Sequence, residues 1–98
     1  MIELYKWSCI KYGSDSPDLD KPGLIASGIV FDDPRFPVGT FVITSRIVSA
    51  QERTLVTENG SHYILVGDPC VHWFQWCLEE GVYPNLKAPL ARNKYYSS

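Results

Sequence analysis

The chain is poor in the residues that build metal and catalytic centres. Two histidines and three cysteines are spread over 98 residues, at Cys9, His62, Cys70, His72 and Cys77. They form no Cys-x-x-Cys pair and no closely spaced histidine pair. Cys70 and Cys77 sit two turns apart on a predicted helix, roughly 10 Å by helix rise, too far for one tetrahedral site or a disulfide. No metal or cofactor is therefore expected, and the cysteines read as small buried hydrophobes. Their odd number disfavours a disulfide framework and favours a reducing, cytoplasmic setting. No apolar run approaches ~18 residues, so neither a membrane-spanning helix nor a membrane partner is expected. Met1-Ile2-Glu3-Leu4 has no basic segment ahead of an apolar one, so no secretory leader is expected. Charge of one sign is lacking too. A net charge of −2 gives no general pull toward nucleic acid or anionic lipid.

Further absences narrow the chemistry. No glycine-rich phosphate loop is present, and Asp68 before the predicted helix would repel a phosphate. Asp18-Leu19-Asp20-Lys21-Pro22-Gly23 imitates the start of a calcium loop, but proline stands at its fifth position and Ile29 where the bidentate glutamate belongs. Cys9 with either histidine could in principle make a nucleophile and base, yet no spacing requires it. No enzymatic activity is expected, and an enzyme ranks third among the readings.

What the sequence does contain is β structure. One domain over residues 1–98 is expected. Residues 2 to 12 alternate, with Tyr5, Trp7 and Cys9 on one face and Ile2, Leu4 and Ile10 on the other. Residues 13 to 23 are dense in turn formers. Residues 24 to 31 return to strand, and Gly28 within them signals a bulge or a close backbone approach. A proline-stiffened loop over residues 32 to 39 leads to a long strand over residues 40 to 49. Asn59-Gly60 between two β-rich runs predicts a two-residue type I′ hairpin. That turn would set Val56 opposite Tyr63, Leu55 opposite Ile64 and Thr57 opposite His62.

The pattern then changes. Asp68 and Pro69 suit a helix cap and first turn. Cys70, Trp73, Phe74, Cys77 and Leu78 follow at helical spacing, and Gly81 terminates. The expected fold is α+β: a small antiparallel β-sheet or barrel of about five strands with one C-terminal amphipathic helix. Trp76 falls on the polar side of that helix with His72 and Glu79, where a tryptophan can anchor an interface. The competing expectation has Tyr83, Leu86 and Leu90 of the tail folding back over it.

Asp33-Pro34-Arg35-Phe36-Pro37-Val38-Gly39-Thr40, continuing through Thr44-Ser45-Arg46-Ile47 to the Asn59-Gly60 hairpin and Tyr63-Ile64-Leu65, resembles small phage and prophage proteins. The resemblance covers about a third of the chain and brings no catalytic residues. It implies a non-catalytic protein that occludes a host protein, with anti-CRISPR-like inhibition of a defence complex as one form. The acidic positions Asp18 and Asp20, with Asp32 and Asp33, would then imitate nucleic-acid phosphates on that target. A small barrel that binds nucleic acid or a nucleotide ranks second, through aromatic stacking beside Arg35, Arg46, Arg53, Lys87, Arg92 and Lys94.

Overall fold

A computed structural model describes residues 1–96. Its elements run β1 (Ile2–Lys11), β2 (Leu24–Val30), β3 (Thr40–Ile43), β4 (Ile47–Gln51), β5 (Thr54–Thr57), β6 (His62–Val66) and α1 (Val71–Glu79). The architecture is α+β, as the patterning predicts. The six strands form one sheet in the order β3-β2-β1-β6-β5-β4. Every pairing is antiparallel except the central β1–β6 ladder.

The strand expected over residues 40 to 49 is two strands. Its halves pair at opposite ends of the sheet, β3 with β2 and β4 with β5. Between them Thr44 N donates to Ala26 O at 2.8 Å, and Arg46 O accepts from Glu58 N at 2.8 Å. One bent segment therefore draws the two edges toward each other, and the sheet curls around its core without closing. Inside the curl lie Leu4, Trp7, Cys9, Leu24, Ala26, Val30, Val42, Ile47, Leu55, Tyr63 and Leu65.

The first strand departs from simple alternation. Leu4, Trp7 and Cys9 are all fully buried, although their numbering mixes odd and even. The register slips between Tyr5 and Ser8, and Lys6 sits at φ 52°. This bulge inserts one residue and reverses the parity. Tyr5 therefore does not share a face with Trp7 and Cys9, contrary to expectation.

The hairpin register also differs by one. Leu55 pairs with Tyr63 and Val56 with His62. Gly60 N bonds Thr57 O at 2.9 Å, Thr57 N bonds Ser61 O at 3.0 Å, and Gly60 alone in the loop has positive φ, at 85°. This is a three-residue loop with glycine at the bulge, not a type I′ turn. Asn59 explains the choice. Its Oδ1 accepts from Thr57 Oγ1 at 2.6 Å and from Ser61 N at 3.3 Å, holding it at ordinary φ.

The helix starts later than expected. Cys70 is the N-cap residue and makes no side-chain capping bond, so Asp68 and Pro69 precede the helix. The surface of β1 takes over the capping role. Cys70 N donates to Trp7 O at 2.8 Å, and Trp73 Nε1 donates to Cys9 O at 3.0 Å. These carbonyls lie beyond Tyr5, where the β6 ladder ends. At the other end Val82 N bonds Cys77 O at 2.8 Å and Gly81 N bonds Leu78 O at 3.2 Å, a Schellman closure on Gly81 at φ 76°. Trp73 and Cys77 are buried, Cys70 and Phe74 are half-buried, and Leu78 is exposed. The predicted apolar stripe is thus narrower than its five residues.

Candidate interaction surface

The helix and the C-terminal segment contribute Trp73, Cys77, Leu90 and Tyr96 to the core inside the curl. The outer face of β1, β2 and β3 is left with a row of apolar side chains. Register places Val66, Tyr5, Ile29 and Phe41 side by side across β6, β1, β2 and β3. Ser8, Ser27 and Ile43 form the next row, with the two serine hydroxyls 2.5 Å apart. Phe31 extends the first row and meets Tyr5 edge-on, ring centroids 5.1 Å apart. Phe41 is 62% exposed, Ile43 57% and Phe31 48%. Exposed aromatic and β-branched side chains that are contiguous, rather than scattered, mark an interaction surface.

An acidic rim borders this patch. Tyr5 Oη donates to Glu3 Oε2 at 2.5 Å. That bond, partial desolvation, and the charges of Glu3 and Asp32 hold the Tyr5 phenol above its ordinary pKa. Asp32 itself is exposed. The patch therefore offers apolar area in its middle and negative charge along one side.

The residues singled out from the sequence are dispersed. His72 and Glu79 are exposed on α1, and Trp76 is half-buried against the core. Leu90 and Leu86 do pack onto that core, while Tyr83 stays exposed. Asp18 and Asp20 line a groove of about 290 Å³ with Gly81, Tyr83 and Arg92, so the first acidic loop faces the end of the helix. Asp18 Oδ1 is engaged by the Asp20 amide at 3.0 Å.

Asp33 belongs to a different environment. It is 4% exposed, and its carboxylate accepts from Arg35 N at 3.0 Å and Arg35 Nη2 at 2.8 Å. The same Nη2 reaches Tyr63 Oη at 3.2 Å. Arg35 holds the Asp33 carboxyl below its ordinary pKa, against the opposing effect of desolvation. Of the two acids in this loop, Asp32 alone presents its charge to solvent.

Cys9 is enclosed in the core, and burial pushes its thiol up to about 12. Both histidines are exposed. Lys11, Tyr12 and Arg46 line a shallow depression of about 390 Å³, and Arg46 Nη2 is held there by Glu58 Oε2 at 2.8 Å. Among the described residues no group of three or more His, Cys, Asp or Glu could hold a metal ion, and no helix is long and apolar enough to cross a membrane.

The Tyr5 part of the aromatic patch escaped the sequence reading. The Lys6 bulge moves Tyr5 to the outer face, which alternation alone assigns to the side of Trp7. Comparison with protein-family models, with curated proteins and with solved structures gives no match.

Proposed function

We propose that this chain is a non-catalytic binding protein that occludes a surface of a host protein through the outer face of β1, β2 and β3. The observation that carries the reading is the run Tyr5, Phe31, Phe41 and Ile43, half-buried at Tyr5 and exposed at the other three, beside the acids Glu3 and Asp32. Aromatic anchors supply contact area at low entropic cost, and a one-signed rim speeds encounter with a partner of opposite charge. The fitting partner surface is apolar with a basic border. The phage resemblance supplies the setting, the host-cell cytoplasm, with a defence complex as the candidate target.

The test is capture of a host protein from bacterial lysate, followed by affinity measurement on the purified partner. Phe31→Ser should leave the melting temperature nearly unchanged and weaken binding by at least ~2 kcal/mol, about 30-fold. Asp32→Asn should slow association more than it speeds dissociation, and the difference should shrink with added salt. Undiminished affinity in Phe31→Ser would remove this face from the interface.

A further inference from the structure

The two edges of the sheet are treated differently by the rest of the molecule. Edge strands expose backbone donors and acceptors that can template pairing with another chain, and natural proteins usually blunt them. The β4 edge is blunted. Its register breaks between Ile47 and Ser49, and Ala50 N is covered by Tyr96 O at 3.3 Å. Among the described residues the β3 edge has no such protection. Among the other helices and strands β3 touches β2 alone. Residues 38–44, Val-Gly-Thr-Phe-Val-Ile-Thr, contain no charge and no proline.

The hydrogen-bond phase of β3 follows from its neighbours. Thr44 N donates to Ala26 O, so residue 44 is a bonded position against β2. Cys9, opposite Ala26 on β1, gives its carbonyl to Trp73 instead, which confirms that the Ala26 backbone faces β3. Bonded and non-bonded positions alternate along an antiparallel pair. Val42 therefore bonds inward to β2, and the backbone N–H and C=O groups of Phe41 and Ile43 point off the sheet.

We infer that β3 pairs antiparallel with β3 of a second copy of this chain, about a two-fold axis at Val42. In that register Phe41 faces Ile43 of the other copy and Ile43 faces its Phe41. Both are outward-bonding positions, so each pair exchanges both of its backbone bonds. On the outer face each Phe41 lies beside an Ile43, the aromatic with β-branched combination that stabilises cross-strand pairs. A second copy fits better than a charged peptide because the segment is self-complementary. It is neutral throughout, so two-fold pairing sets no like charges opposite each other. The pairing also joins the two outer faces into one continuous surface.

The inference is tested by sedimentation velocity over a dilution series, with melting curves on every variant. The wild-type mass should rise with concentration toward twice the 11.1 kDa of one chain. Phe41→Lys should hold the protein at the single-chain mass with an unchanged melting temperature, because this side chain is exposed. Ile43→Pro removes an N–H that β2 does not use and should do the same; Phe41→Lys decides alone if the proline lowers the melting temperature. In a sample mixing isotope-labelled and unlabelled chains, contacts between Phe41 and Ile43 of different copies should be observed. A wild type that stays at single-chain mass throughout overturns the inference, as does a Phe41→Lys protein that still doubles its mass. Phe31 lies outside β3, so loss of host-protein capture on Phe31→Ser is read independently of self-association.

Discussion

A Cβ added at Gly28 would lie 2.7 Å from Leu4 Cγ and 2.7 Å from the Tyr5 carbonyl oxygen. The second of these atoms is backbone and cannot turn aside. Gly28 is the residue against which the β1 bulge is pressed, and its lack of a side chain lets β1 and β2 approach. Gly60 is required for conformation rather than space. It sits at φ 85°, and nothing lies within 4 Å of the position a Cβ would take. Gly28→Ala should therefore cost about 1–3 kcal/mol through overpacking. Gly60→Val should cost about 1–2 kcal/mol through backbone strain, and Gly60→Asn much less. Denaturant melts of the three variants check this. A Gly28→Ala protein as stable as wild type would show that β1 and β2 can separate without penalty.

At the scale of elements, the sequence announces which segments are strands more clearly than where they bend. Residues 40 to 49 are β-rich throughout, and nothing in their composition marks that residues 44–46 leave β2 for the other end of the sheet. That turn is made by tertiary bonds, Thr44 to Ala26 and Glu58 to Arg46. The helix was legible from its spacing and its Gly81 stop, but its start was not, because the Cys70 amide is satisfied by the Trp7 carbonyl of β1 and not by a neighbouring side chain. The Tyr5 part of the candidate surface was hidden by the bulge at Lys6. Lysine at positive φ is uncommon, and composition gives no sign of it. A bulge can be tested by removing its extra residue. Deleting Lys6 would restore strict alternation with Leu4 and Trp7 both still facing inward and Tyr5 outward. Trp7 is fully buried, stacks near Trp73 with centroids 5.6 Å apart, and donates from Nε1 to Gly67 O at 3.0 Å. The deletion should keep the two tryptophans packed and unfolding cooperative, as should Lys6→Gly, whereas Lys6→Val, strained at positive φ, should loosen them. Near-ultraviolet circular dichroism, reporting the two packed tryptophans, distinguishes these outcomes.

Over the whole molecule, the C-terminal segment over residues 82–96 is what finishes the core, with no helix or strand among its described residues. Asn93 Nδ2 donates to Leu19 O at 2.7 Å and Lys21 O at 2.9 Å, tying the tail to the first loop. Tyr96 reaches in two directions. Its hydroxyl oxygen accepts from Leu24 N at 2.6 Å, and its carbonyl accepts from Ala50 N at 3.3 Å. The tail thereby bridges β2 to β4, the two strands that the curl brings close. Leu24 begins β2 and is fully buried, so its amide depends on that phenol. Tyr96→Phe keeps the ring and removes only the acceptor, leaving a buried N–H unsatisfied. The expected loss is about 1–3 kcal/mol. Tyr95→Phe, on an exposed neighbour, should change stability very little. Hydrogen exchange adds a local reading: the Leu24 amide should lose protection in Tyr96→Phe beyond the global change, while the β1–β6 ladder follows the global change alone. Equal stability and equal Leu24 protection in Tyr96→Phe and wild type would mean that the tail lies over the core without holding it shut.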